Sequence, residues 1–261
     1  MSLAGRFDLV IFDWAGTMVD FGCEAPVKAL IEAFAAEGLG IDAGTARRDM
    51  GMAKIDHVRG LLADPATAAA WRARHGRPAD AADVTRLMTR LGPLMHDHAA
   101  DAATLIPGAR EAFEALRRLG LRVASSTGYT REMMRPVLAR AAEQGYAPEH
   151  LVCSGETPAG RPSPLMIYKA CAELGVWPLS RVVKVDDAVV GIAEGRNAGA
   201  FTVGVASGNA LGLSAQELDA LAPAERAARL AAARAALLEA GADLAIDSVA
   251  QLVPALERAG A

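Results

Sequence analysis

Apolar positions fall into short continuous runs separated by longer stretches of helical spacing. Leu9-Val10-Ile11-Phe12 is a buried strand, stopped by Asp13 and the Ala15-Gly16-Thr17 turn. From Ala25 to about Ala102 the spacing is helical: Val27, Leu30, Ile31 and Phe34 recur on one face, and no convincing strand interrupts. The character changes at Leu105-Ile106-Pro107-Gly108. Residues 109–119 then read as a helix and 121–126 as a strand ending at Thr127-Gly128. A helix starts near Thr130, a short strand follows at Val152-Cys153, and 164–174 is helical. Residues 181–185 form a strand ending at Asp186-Asp187, a helix runs to about Ala198, and 201–205 is another strand. The alanine-rich stretch 221–240 keeps helical spacing, with Leu230, Leu237 and Leu238 as its expected buried face.

Strands alternating with helices imply a Rossmann-like α/β core, a parallel sheet with helices on both faces. In such sheets functional groups gather beyond the carboxyl ends of the strands. Asp13, Thr127 and Asp187 each stand just after a predicted strand, so they are expected to converge. The helical stretch between the first two strands is then an insertion over the site. The expected organisation is a catalytic core of residues 1–21 and 103–261 and an all-helical cap of residues 22–102, with Pro107-Gly108 as the return hinge.

Composition narrows the setting. The 261 residues are 52% hydrophobic and 22% charged, enough for one large domain with an insertion. A net charge of −4 gives no support to binding nucleic acid or an anionic membrane. No export signal and no run long enough to cross a bilayer is read. Cys23, Cys153 and Cys171 are few, scattered and odd in number, which argues against a disulfide framework or a zinc site and for a cytoplasmic protein. Lysine is scarce: Lys28, Lys54, Lys169 and Lys184 are all there are.

The strand-end residues suggest phosphorus chemistry. A carboxylate such as Asp13 can attack phosphorus and form an aspartyl-phosphate, with Mg²⁺ offsetting charge repulsion. Asp186-Asp187 supplies further carboxylate, although either residue could instead cap the helix that follows. The Thr127 hydroxyl and Gly128 N–H can hold phosphate oxygens, and Arg161, in the stiff loop Gly160-Arg161-Pro162-Ser163-Pro164, can clamp a phosphate or phosphonate. Taken singly, a turn, a helix cap or a solvated arginine explains each as well. Their order around a parallel sheet favours function.

These residues resemble the haloacid dehalogenase superfamily of aspartate-nucleophile enzymes, with its first motif at Asp13, its Thr/Ser motif at Thr127 and its acidic motif at Asp186-Asp187. Most phosphatases of that superfamily carry a second aspartate two residues after the nucleophile, to protonate the departing alkoxide. Here that position is Ala15. Met50-Gly51-Met52-Ala53-Lys54-Ile55-Asp56-His57-Val58-Arg59 reads as a helical segment that places Met50, Lys54 and His57 on one face. A lysine flanked by methionine and alanine over a closed site is desolvated, its pKa falls, and its free amine can form a Schiff base with an aldehyde. Carbon can then leave phosphorus as an enamine, and no acid at position 15 is needed.

The stretches "FDWAGTMVDFGCEAP", "MGMAKIDHVRG", "STGYTREMM", "AGRPSP" and "EGRNAGAFTVGV" together resemble the phosphonatase family of that superfamily. The resemblance implies cleavage of the P–C bond of phosphonoacetaldehyde, within 2-aminoethylphosphonate degradation. Asp13 would be the nucleophile and Lys54 the Schiff-base former. Mg²⁺ would be held by Asp13, the Ala15 carbonyl and Asp187, with Asp186 as the alternative ligand. Thr127, Gly128 and Arg161 would meet the phosphonate, supported by His57, Cys23, Met50 and Tyr129. A homodimer through the cap is also implied. The rival readings are a Mg²⁺-dependent phosphatase or phosphotransferase acting on a phosphate ester, and a non-catalytic binding module that kept the fold.

Overall fold

In the computed structural model, which describes residues 3–259, the chain opens with α1 (Leu3–Arg6) and β1 (Leu9–Phe12). Five helices follow: α2 (Glu24–Ala35), α3 (Ala43–Arg47), α4 (Lys54–Ala63), α5 (Pro65–His75) and α6 (Ala81–Ala102). Strands and helices then alternate: α7 (Ala109–Arg118), β2 (Arg122–Thr127), α8 (Arg131–Glu143), β3 (His150–Cys153), α9 (Leu165–Leu174), β4 (Val182–Asp186), α10 (Val189–Ala198) and β5 (Phe201–Val205). The chain closes with α11 (Ala215–Ala220), α12 (Pro223–Glu239), β6 (Leu244–Ile246) and α13 (Leu252–Ala259). Residues 1, 2, 260 and 261, at the outer limits of the expected core, lie outside the described residues.

The six strands form one parallel sheet in the order β3-β2-β1-β4-β5-β6. β1 is central and buried throughout, which is why its four residues are all apolar. The pairing register decides the site. Phe12 pairs with Ser125 of β2 and with Val185 of β4. The next residue on each strand is therefore level: Asp13, Ser126 and Asp186 stand side by side at the carboxyl edge. The Asp13 N–H donates to the Val185 carbonyl at 2.9 Å and holds that register one residue beyond the strand.

The helices between β1 and β2 pack over this edge. α6 buries Val84, Leu87, Leu91, Met95 and Ala99 at helical spacing, and a capping box between exposed Asp80 and buried Asp83 starts it. Two chain segments join this block to the sheet and run side by side: Val19 bridges Leu105, the Ile106 N–H donates to the Met18 carbonyl, and the Asp20 N–H to the Thr104 carbonyl. Both side chains of Asp20 and Cys23 sit on left-handed backbone, φ 57 and 55, at the entry to α2. Asp20 caps that helix by accepting from the Glu24 and Ala25 N–H groups.

Two local expectations need correction, and two elements were not expected. The segment from Met50 to Ala53 is a turn, and α4 begins at Lys54. Gly51, at φ 95, breaks the helical run, so Met50 reaches Lys54 from a turn. On α12 the buried stripe is Ala233 and Leu237 with Leu230 partly covered, while Leu238 is 48% exposed. A stripe one residue wider than the helix period carries Leu238 out to solvent. Strand β6 and helix α13, beyond the last predicted strand, complete the sheet edge and its cover.

Candidate active site

The carboxyl edge concentrates buried charge. Oxygens of Asp13, Asp186 and Asp187 all lie within 4.8 Å of one another. Thr17 Oγ1 donates to Asp187 Oδ1 at 3.0 Å and the Asn209 N–H to Asp187 Oδ2 at 2.6 Å, which fixes that carboxylate. Gly16 makes room for it: at φ 87, a Cβ there would lie 2.0 Å from Asp187 Oδ2. Asp186 does accept from the Ala188 N–H at 3.1 Å, the local turn-capping role weighed from sequence, and it remains in the acidic group.

Burial, then the Asp186 charge, push the Asp13 carboxyl up to about 6 against the pull of Arg161 and Lys184. Asp187 is pushed up by burial and by Asp13 and Asp186. Asp13, Asp186, Asp187 and Glu194 face two buried cations in this layer, Arg161 and Lys184. With all four carboxylates ionised the layer carries a surplus of two negative charges, and that surplus and the all-oxygen donor set fit one hard divalent cation. The acidic triad is able to hold a metal ion.

Arg161 is fully buried and engaged. Its Nη1 donates to Asp13 Oδ1 at 2.7 Å, its Nε to Glu194 Oε2 at 2.8 Å and its Nη2 to the Ser126 carbonyl at 2.6 Å. Burial disfavours its charge, but Glu194, Asp186 and Asp13 outweigh that and keep it protonated. It therefore lies behind Asp13, where its guanidinium grips the carboxylate directly.

Lys54 comes down from the helical block. It is 2% exposed, with Nζ 3.7 Å from Met50 Sδ and 5.3 Å from the centre of the Tyr129 ring. Burial, aided by the Arg161 charge, pulls its pKa down to about 8. As the first residue of α4 it also sits at the positive end of a helix dipole, which disfavours an ammonium. His57, one turn on, is pulled down to about 3 by burial and by Lys54, so it is neutral. Burial likewise keeps the Cys23 thiol and the Tyr129 hydroxyl protonated.

A small cavity of about 20 Å³, room for one water molecule, separates the two halves. Asp13, Ala15, Thr127, Gly128, Tyr129, Asp186 and Asp187 border it from the sheet side, and Cys23, Met50 and Lys54 from the helical side. Of the residues singled out from sequence, Arg161 and His57 do not border it: one lies behind Asp13, the other behind Lys54. The turn at 51–52 rests directly on the sheet, for a Cβ on Gly128 would fall 2.5 Å from the Met52 carbonyl oxygen. Thr127 Oγ1 accepts from the Tyr129 N–H at 3.2 Å and shapes the same turn.

A family model described as haloacid dehalogenase-like hydrolase matches residues 7–199. The phosphonoacetaldehyde hydrolase of Paraburkholderia phytofirmans is 47% identical over 94% of this chain and 92% of its own length. That of Bacillus cereus is 41% identical over 97% and 96%. The chain belongs to the phosphonoacetaldehyde hydrolase family. A crystal structure of a phosphonoacetaldehyde hydrolase-like protein from Oleispira antarctica superposes with a TM-score of 0.94 at 38% identity, covering 99% of this chain and 95% of that one. A hydrolase from Pseudomonas syringae, at 19% identity and a TM-score of 0.72, shares the fold. The phosphonoacetaldehyde hydrolase family lies within the haloacid dehalogenase-like hydrolases, and the protein is an enzyme of that class.

Sequence reasoning missed Thr17, Ser126, Lys184, Glu194 and Asn209, all of which bond to the charged groups of the site. Lys184 carried a signal. A lysine flanked by valines inside a strand buried on both faces needs a buried partner.

Proposed function

We propose that the protein hydrolyses the P–C bond of phosphonoacetaldehyde, releasing acetaldehyde and phosphate. One observation carries the reading: a buried lysine with its pKa near 8 shares a small cavity with the carboxylate of Asp13, and position 15 is an alanine that supplies no acid. The printed names of the relatives support the same substrate.

The Lys54 amine adds to the aldehyde carbon and, with loss of water, gives a protonated imine. An Asp13 oxygen then attacks phosphorus. The P–C bonding pair moves into a carbon–carbon double bond as the imine becomes an enamine. The enamine takes a proton on carbon, and water releases acetaldehyde and the free Lys54 amine. A second water cleaves the aspartyl-phosphate. Thr127 and Gly128, at the end of β2, would donate to phosphonate oxygens. Arg161 steadies the Asp13 carboxylate.

Asp13, Asp186 and Asp187, with the Ala15 carbonyl, would hold Mg²⁺, which supplies charge neutralisation for the phosphorus oxygens. The helical block acts as a cap. With about 20 Å³ of free space the cavity has no room for substrate, so the cap opens to admit it and closes to bring Lys54 over Asp13. The same reading includes 2-aminoethylphosphonate degradation, a homodimer through the cap and a cytoplasmic setting. Three free, buried cysteines are compatible with a reducing compartment.

Borohydride added with phosphonoacetaldehyde should leave a reduced two-carbon adduct on Lys54 in a peptide map. An adduct elsewhere, or none during turnover, would overturn the imine route.

A further inference from the structure

Behind the cavity lies a buried charged layer, closed off from solvent, that reaches the cavity only through Asp186. Lys184 and Asp186 alternate along β4 and so share one face. α10 packs on that face with two glycines four residues apart. A Cβ on Gly191 would fall 1.9 Å from Asp186 Oδ2, and one on Gly195 would fall 2.9 Å from Lys184 Cβ. The bare stripe admits both side chains, and Glu194 enters from the same helix. Lys184 Nζ then donates to Ser126 Oγ at 2.9 Å and is ion-paired with Asp186 Oδ2 at 3.0 Å and Glu194 Oε2 at 3.2 Å.

Glu194 completes the layer. Its Oε2 accepts from Arg161 Nε at 2.8 Å and from Ser126 Oγ at 3.2 Å. Arg161 Nη2 is held by the carbonyl and hydroxyl of Ser126, at 2.6 and 3.0 Å. Two sides of the guanidinium are thereby fixed, and Nη1 is left aimed at Asp13. Burying this many charges gives the fold no clear advantage over apolar packing of the same volume. What the layer does fix is direction, at the group that grips the nucleophile and at a carboxylate of the acidic triad.

We propose that Glu194 and Lys184 are positioning residues: through Arg161 and Asp186 they set the orientation of the Asp13 carboxylate and of the phosphate-binding edge above it. This rests on the function proposed above for its catalytic readout, but not for its binding readout.

The test uses Glu194→Gln, which keeps the shape and removes the charge, and the double variant Lys184→Met/Glu194→Met, which removes both charges together and keeps the layer neutral if the single variant fails to fold. Three quantities are measured on the Mg²⁺-supplemented protein: inorganic phosphate affinity by calorimetry, kcat for phosphonoacetaldehyde, and borohydride trapping of Lys54 with acetaldehyde alone. Misplacing a reacting group by about 1 Å costs on the order of 100-fold in rate, so kcat is expected to fall by about that factor. Phosphate affinity is expected to fall by about tenfold, the loss of roughly one charge-assisted contact. Trapping by acetaldehyde, which involves the cap lysine and no phosphorus, is expected to stay at the wild-type rate. A folded variant with wild-type phosphate affinity and kcat overturns the proposal. So does trapping that falls in step with phosphate affinity, because that marks general damage. If the wild-type protein neither cleaves phosphonoacetaldehyde nor is trapped, the functional reading fails, and the change in phosphate affinity still decides the role of Glu194 and Lys184.

Discussion

The low pKa of Lys54 makes the imine step a titration, and its size follows from the burial of the amine. At pH 7 a group with a pKa of about 8 is roughly one tenth unprotonated, whereas an ordinary lysine at 10.5 is so in roughly one molecule in three thousand. Burial thus raises the supply of free amine about 300-fold. Because the reactive form is the deprotonated one, trapping should increase about tenfold per pH unit below 8 and level off above it. Met50→Ala tests the cause. Met50 Sδ lies 3.7 Å from Nζ, and its removal opens space for roughly two waters. Water solvates the ammonium and moves the pKa back toward 10.5. Recovery of about one unit would cut trapping at pH 7 about tenfold while leaving the plateau near pH 10 unchanged. The assay is the initial rate of acetaldehyde–borohydride labelling of Lys54 between pH 6 and 10, followed by mass spectrometry. A flat profile, or a Met50→Ala profile that overlays the wild type, would refute the reasoning.

Four further outcomes are expected. Asp13→Asn should lose phosphate release by at least about 10³-fold while retaining acetaldehyde trapping on Lys54, since the carboxylate attacks phosphorus and plays no part in imine formation. Gly128→Ala should lower kcat and increase hydrogen exchange across residues 50–54, because its Cβ would fall 2.5 and 2.7 Å from the carbonyl oxygens of Met52 and Gly51 and keep the cap from seating. Chelation should abolish turnover, and Mg²⁺ at 100 times its Kd should stabilise the fold by about 2.7 kcal/mol, read as a higher Tm, through the triad of Asp13, Asp186 and Asp187. Ala15→Asp should slow P–C cleavage at pH 7 by returning Lys54 toward its charged form, with loss partly reversed at higher pH; an unchanged pH profile would show that residue 15 and Lys54 do not share one field.

The sheet was legible because a parallel strand buried on both faces is a run of apolar residues, and Leu9-Val10-Ile11-Phe12 is such a run. The strand-end rule then placed Asp13, Thr127 and Asp186-Asp187 without any contact being known. Lys54 was legible through its neighbours and through Ala15. The local path to Lys54 was not, since Gly51 interrupts a spacing that otherwise looks helical. Three-residue β6 follows an alanine-rich helix and leaves too short a pattern to separate from a turn. Arg161 stood out as a cation of the site, but the structure sets it against Asp13 and away from the cavity, and its partners were hidden: Ser126, Lys184 and Glu194 come from three elements brought together only by the strand order β2-β1-β4 and the glycine stripe of α10.

The most direct measurement is of products. Purified protein with Mg²⁺ and phosphonoacetaldehyde should release acetaldehyde and phosphate in equal amounts, and Lys54→Arg, which keeps the charge but cannot form an imine, should release neither. Phosphate without acetaldehyde, or a Lys54→Arg variant turning over near the wild-type rate, would contradict cleavage through Lys54.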